Sequence, residues 1–183
     1  MWFSMEETRH GGRGIREQLL LAGIDDINQN GIQNFSVRRV ANACGVSCAA
    51  PYKHFEDKPA FLAAIVDYID SLWKERKEKV LKKYPTGSRR QLAEVSLEYV
   101  RFLVENPHFR SIIMGKDDEF DLRRGRSRGQ VSNLTQGLIQ DYCRSTGMSE
   151  QTRRLKTYVV RSLIYGAALM FDNGELDYND ENM

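Results

Sequence analysis

Cysteine is scarce in this sequence. The three present, Cys44, Cys48 and Cys143, are an odd number without secretory spacing. That pattern excludes a disulfide framework and implies free thiols in a reducing compartment. Long apolar runs are missing, so no membrane span is expected. The opening stretch MWFSMEETRHGG has no basic region followed by an apolar one, so no signal peptide is expected, and the expected compartment is the cytoplasm. Internal repeats, sustained heptads and credible strands are also lacking. Charge of one sign is not in excess: the formal net charge is +2, which by itself argues for no partner.

What is present is ordinary globular material. The 183 residues are 28% charged and 41% apolar, enough to build a core without staples. The charge is unevenly placed. KERKEKVLKK (74–83) is strongly basic, while the tail DNGELDYNDENM holds no basic residue. The first sixty residues balance seven Lys/Arg against seven Asp/Glu, so charge does not mark that end as a nucleic-acid binder.

Helical periodicity runs through nearly the whole chain. Leu20, Gly23, Ile24 and Ile27 share one helix face, and Gly31 ends that helix. Ser36 is an N-cap for a short helix with Val37, Val40, Ala41 and Cys44 on one face, stopped by Gly45. Ser47 caps another, expected to reach about Phe55. Asp57 caps a long helix with Pro59 in its first turn and a stripe of Leu62, Ile65, Ile69, Leu72 and Trp73, broken at YPTGS (84–88). The next helix carries Leu92, Val95, Tyr99, Phe102 and Leu103, and NPHFR (106–110) reads as a break before one short helix. The charged, glycine-interrupted segment 116–129 reads as a loop or a frayed start. It is followed by a helix with Val131, Leu134, Leu138 and Tyr142 ending at Gly147. Ser149 caps the last long one. The expectation is an all-α protein of about eight helices, short ones first and long ones after.

The stretch RRVANACGVSCAAPYKHFEDK (38–58) places a helix, a glycine-containing turn and a second helix in the arrangement of a helix-turn-helix. Such a unit lays its second helix in the DNA major groove, and phosphates beside the groove need donors. The small residues Cys48, Ala49 and Ala50 allow close approach, and Tyr52, His54 and Lys58 can donate. Over 35–65, FSVRRVANACGVSCAAPYKHFEDKPAFLAAI resembles the DNA-binding domain of the TetR family of transcriptional regulators. The shared pattern is Ser-Val, an apolar-Ala pair, Gly-Val-Ser, a Tyr-x-His-Phe box and a Lys opening the next helix. The resemblance covers roughly residues 10–70; beyond that it is one of layout, a long linking helix and a helical body with a Tyr-Gly-Ala-Ala stretch.

That resemblance implies an N-terminal three-helix headpiece (10–70, its helix-turn-helix at about 36–55), a helical body for ligand binding and dimerisation (74–174), and an acidic tail (175–183). It implies that Ser36 and Val37 meet the DNA backbone and that Arg38 reaches a base, a guanine by preference. Ser47, Cys48, Ala49 and Ala50 would line the groove, and Tyr52, Lys53, His54 and Lys58 would hold phosphates. Pro51 stands where the family more often has an apolar side chain facing the core. Ala49 and Ala50 offer few hydrogen bonds, so readout would rest on Arg38, thymine-methyl contact and DNA shape.

The body holds more aromatic and Met side chains than a minimal bundle needs. Trp73, Tyr99, Phe102, Phe109, Met114, Tyr142 and Tyr165 are candidate lining for a small apolar or aromatic effector. By the family layout the last two long helices pair with their copies in a homodimer, making Leu134, Leu138, Leu155, Tyr158, Val159, Ser162 and Gly166 candidate interface residues. The function implied is a regulator, a repressor of a near-palindromic operator in double-stranded DNA. Catalysis is not implied, and no cofactor is expected. Cys44 and Cys48 are four apart, but His54 does not share their face and no acidic partner is near, so no metal site is expected. The alternatives of a different class are an all-α enzyme and a helical adaptor that binds no DNA.

Overall fold

The computed structural model describes residues 14–114 and 129–175. The opening stretch, the charged segment 116–128 and most of the acidic tail lie outside the described residues. Seven α-helices are described: α1 (Ile15–Asn30), α2 (Val37–Ala43), α3 (Lys58–Leu81), α4 (Arg89–Glu105), α5 (Pro107–Met114), α6 (Gly129–Ser145) and α7 (Glu150–Asp172). Single 3₁₀ turns at Ile32–Asn34 and Pro51–Lys53 join them, and no strand occurs among the described residues. The chain is all-α, as its periodicity requires. Seven of the expected eight α-helices form; the one expected after Ser47 does not, for a reason given below. The chain divides into two compact units between Ile65 and Val66.

In the first unit the expected stripe of α1 is buried: Leu20, Gly23, Ile24 and Ile27, with Leu19 beside them. Gly23 sits where α1 and α3 come closest; a Cβ there would lie 2.7 Å from Ile65 Cδ1. Ser36 caps α2 by accepting the Arg39 N–H at 3.4 Å. The helix stops after seven residues because Gly45 turns to φ +66°. Val46 N–H then reaches back to Ala41 O and Gly45 N–H to Asn42 O, both at 3.0 Å, a six-to-one and five-to-two closure that satisfies the last carbonyls. Asp57 caps α3 through the Ala60 N–H at 2.7 Å. The unit is centred on Phe61 of α3, which stacks on Phe55 (3.9 Å between ring centroids) and meets Phe35 edge-on (5.3 Å).

In the second unit Ser88 caps α4 through the Gln91 N–H at 3.1 Å. Gln91 is buried, yet both ends of its amide are used: it accepts from Gly87 N–H and donates to Tyr84 O, each at 3.1 Å. This polar clasp closes the turn between α3 and α4, a place where an unpaired amide would cost about 1–3 kcal/mol. Trp73, Tyr99, Phe102 and Phe109 form one buried aromatic cluster, and α4 packs against α6 and α7. Arg76 of α3 binds Glu98 at 2.6 Å and also Glu105 of α4, with its guanidinium over the Phe102 ring.

Phe61 is fully buried and touches both other rings of the first unit, so Phe61→Ala should lower unfolding stability of that unit by about 3–5 kcal/mol. Denaturant titration of the full chain checks this; a loss below about 1 kcal/mol would mean that the rings are not the centre of the unit.

Candidate functional site

The first unit puts its apolar residues inside and leaves a face of small residues and polar or basic side chains outside. Val37, Val40, Ala41, Pro51 and Phe55 are buried, whereas Arg38, Ser47, Cys48, Ala49, Tyr52, Lys53, His54 and Lys58 are exposed. Ala50 and Ser36 are half-buried. Of the residues that the sequence assigns to DNA contact, Val37 is the one whose side chain belongs to the core, so only its backbone N–H can face a ligand. Within α2 the first backbone bond runs from Val40 N–H to Ser36 O at 3.1 Å, which leaves the Val37 and Arg38 N–H groups without an intrahelical partner. Arg38 makes no ion pair or hydrogen bond among the described residues and extends from α2 into solvent. Tyr52 is 55% exposed, a large ring held outside the core. Lys58 begins α3 with its Nζ 6.0 Å from the centre of the Phe35 ring.

The segment after Ser47 corrects the expected α-helix to Phe55. Pro51 has no N–H, so the Ser47 carbonyl loses its donor four residues on and takes the Ala50 N–H at 2.9 Å instead. The tighter pattern continues with Lys53 N–H to Ala50 O at 3.1 Å and His54 N–H to Pro51 O at 2.9 Å. The result is a turn and one 3₁₀ turn, Pro51–Lys53. The proline ring itself is buried, filling the place of an apolar core side chain.

Two residues of this unit were not picked out by the sequence. Asp26 of α1 is buried and accepts from Arg39 Nε at 2.6 Å, Arg39 Nη2 at 3.0 Å and the Ser36 N–H at 2.9 Å. Arg39 also donates to Asn34 O at 2.6 Å, and its hydrogen bond to Asp26 pushes its pKa up. A signal was available: Asp26 lies three residues from Gly23, on the stripe side of α1. A carboxylate in such a place needs a cation, and two neighbouring arginines follow. Which arginine turns inward is not written in that spacing. Cys44 is half-buried, and burial pushes its thiol up. Among the described residues no group of His, Cys, Asp and Glu could hold a metal ion, and no helix is long and apolar enough to cross a membrane.

In the second unit the candidate effector residues separate. Trp73, Tyr99, Phe102 and Phe109 pack on one another, while Tyr142 and Tyr165 are half-buried and the Met114 side chain lies outside the described residues. Burial pushes the Tyr99 phenol far up, with Tyr165 and Asp70 adding to the shift and Arg161 opposing it, so its O–H stays a neutral donor. Neither that O–H nor the Trp73 Nε1–H has a hydrogen-bond partner among the described residues. An open groove of about 980 Å³ lies elsewhere on the unit. Leu92, Leu97, Val100, Ile139 and Ile164 give it apolar walls, Arg89 and Lys156 supply charge, and of the seven candidates only Tyr142 lines it. The candidate interface residues of α7 stand outside: Leu155 is 63% and Tyr158 71% exposed, Val159 is exposed as well, and Leu163, Leu169 and Met170 extend the stripe. Ser162 is exposed, Leu138 and Gly166 are half-buried, and the Leu134 side chain lies outside the described residues.

Residues 19–65 match the sequence model of a family described as bacterial regulatory proteins, tetR family. No curated protein matches the sequence. Solved structures do resemble the fold. The fatty acid degradation regulator FadR from Bacillus halodurans is 15% identical, with 92% of this chain and 90% of that one covered at a TM-score of 0.70. A TetR-like transcriptional regulator from Rhodococcus sp. RHA1 is 19% identical over 92% of this chain and 90% of that one, TM-score 0.68. FadR from Bacillus subtilis, solved in complex with stearoyl-CoA, is 16% identical over 88% and 89%, TM-score 0.69. Residues 19–65 are thus similar to the tetR-family regulatory domain, and the chain has the all-helical fold seen in the solved structures of TetR-like transcriptional regulators.

Proposed function

We propose that this protein is a DNA-binding transcriptional repressor that acts as a homodimer on a near-palindromic operator and is released by a small apolar effector. The observation that carries the DNA reading is the exposed set Arg38, Ser47, Cys48, Ala49, Tyr52, Lys53, His54 and Lys58 on a headpiece whose apolar residues are buried. Arg38 is the long side chain free to reach a base edge, and Tyr52, Lys53, His54 and Lys58 are the phosphate donors. The small Ser47, Cys48, Ala49 and Ala50 let the backbone approach the groove floor. No catalysis is part of this reading.

Fluorescence anisotropy on a duplex selected by the chain from a random pool tests it. Lys58→Ala should weaken binding to every sequence alike and reduce the slope of log K against log salt by about one. Tyr52→Phe should also weaken all sequences, with the slope unchanged. Arg38→Ala should relax preference at one base pair, at a cost of about 1–3 kcal/mol. Equal loss on all operator variants would remove Arg38 from the base edge.

The homodimer is supported by the exposed apolar stripe of α7, too continuous for scattered surface residues. A Cβ added at Gly166 meets nothing within 4 Å among the described residues, so a side chain can start there without a clash at its first carbon. Gly166→Arg should therefore leave the melting temperature of the monomer unit intact and yet dissociate the dimer, because two-fold symmetry places the charge twice in one contact. Sedimentation of that variant as an unchanged dimer would move the interface elsewhere.

Support for an apolar effector comes from the groove of about 980 Å³ in the second unit and from a structural neighbour, FadR of Bacillus subtilis, that was solved with stearoyl-CoA. Arg89 and Lys156 would suit an acidic head group on such a ligand. Leu155, Val159 and Leu163 belong to both groove and stripe, so a second copy seated on α7 would form one wall of the site. The unpartnered Trp73 and Tyr99 donors, on rings 4.8 Å apart, are a further place where a ligand acceptor would be welcome. Binding would shift α3, and with it the spacing of the two headpieces. An acyl compound that raises the melting temperature should weaken DNA binding by the same factor by which DNA weakens its own binding. Hits that leave DNA affinity unchanged would leave a ligand-independent repressor.

A further inference from the structure

Two adjacent arginines begin α2, and the structure treats them differently. Arg38 extends into solvent, whereas Arg39 folds back on α1, where its guanidinium meets both oxygens of the buried Asp26 carboxylate at 2.6 and 3.0 Å. The same carboxylate accepts from the Ser36 N–H at 2.9 Å and the Asn30 amide at 3.2 Å, and Arg39 also donates to Asn34 O at 2.6 Å. One acidic group on α1 is thereby joined to the N-cap residue of α2, to a residue one turn further on, and to the 3₁₀ turn between the helices. Two attachments one turn apart on so short a helix fix its rotation about its own axis. That rotation sets the direction in which Arg38 points, since neighbouring residues on a helix are about 100° apart.

We infer that the Asp26–Arg39 pair is a positioning device for DNA reading: it holds α2 in the rotation that aims Arg38, and Arg39 is not itself a DNA contact. The inference rests on the proposed DNA-binding function. Two physical arguments favour positioning over mere stability. Only the carboxylate of the pair is buried, with Arg39 48% exposed, and an ion pair with one half in water adds little net stability, so stability alone does not call for a carboxylate at this place. And the Nε and Nη2 donors of this guanidinium are already directed at a carboxylate and at Asn34 O, so it has less to offer a phosphate than Arg38 has.

The test uses the full chain, with anisotropy on a duplex selected by wild type from a random pool, its single-base variants and a random-sequence duplex, across a salt series. Asp26→Leu combined with Arg39→Leu removes the polar attachments and keeps apolar volume. Asp26→Asn combined with Arg39→Gln gives the same readouts if the apolar pair fails to fold. The expected result is a melting temperature within a few degrees of wild type and selected-duplex affinity at least tenfold lower. Random-duplex affinity and the salt slope should stay unchanged, with preference lost at the base pair that Arg38→Ala also relaxes. Adding Arg38→Ala to the pair should then cost less than it does in wild type, since the aim is already lost. Arg39→Lys, which keeps charge and loses the two-fold fork, should fall between. A salt slope reduced by about one in Arg39→Ala would make Arg39 a phosphate contact and overturn the inference. Unchanged sequence preference in the double variants would reduce the pair to structure alone. Wild type that binds no duplex at low salt would instead bring down the DNA-binding function on which the inference rests.

Discussion

The first unit depends on Phe61. Its α2 has seven residues and the segment that follows holds a single 3₁₀ turn, both far below the length at which a helix persists by itself in water. Neither has backbone bonds enough to hold its shape. They are held because Phe35, just before α2, and Phe55, just after the 3₁₀ turn, both pack on one ring from α3. With both ends of the segment fixed, the residues between them can be small and polar and still be presented rigidly. A surface made of Ser47, Cys48 and Ala49 has no packing of its own to contribute; its order comes from the rings beneath it.

Within that frame, backbone chemistry decides the finer geometry. Gly45 makes the sharp stop that keeps α2 to about two turns, and Pro51 tightens the following segment by withholding one N–H. The proline is at once a defect in the helix ladder and a good core residue, because its ring is buried where an apolar side chain is needed. The Asp26 carboxylate adds direction to what the rings hold in place: hydrophobic contact is tolerant of rotation, and hydrogen bonds are not.

The second unit shows the same division between tolerant and directional contacts. Its aromatics are gathered inside, with Gln91 and Arg76 supplying directed bonds at the ends of α3 and α4. Its aliphatic residues on α7 are left outside: Leu155, Leu163 and Leu169 stand exposed along one face. A helix that is apolar on a face turned away from its own core leaves that area in water, the kind of continuous patch that marks an interaction surface. The buried Trp73 and Tyr99 donors are the opposite case, polar atoms without a hydrogen-bond partner among the described residues.

Much of this was legible in the sequence. The helical class, the breaks at Gly31, Gly45, 84–88 and Gly147, the caps at Ser36, Asp57 and Ser149, and the buried stripes of α1 and α3 all follow from local rules, because caps and glycines act within a turn of themselves. The family pattern over 35–65 was equally local. Side-chain fate was less so. Val37 is buried on the apolar face that its spacing gives, and Trp73, Tyr99, Phe102 and Phe109 pack together in a way no spacing writes; Arg38 and Arg39 are the same residue type side by side and both exposed, yet of the two it is Arg39 that binds Asp26. Sequence determined which segments are helical and where they stop, since those energies are paid within a few residues. Only the tertiary structure decided which arginine meets Asp26 and which aromatic meets which, since those depend on elements ten or more residues apart being brought together by the burial of a common core.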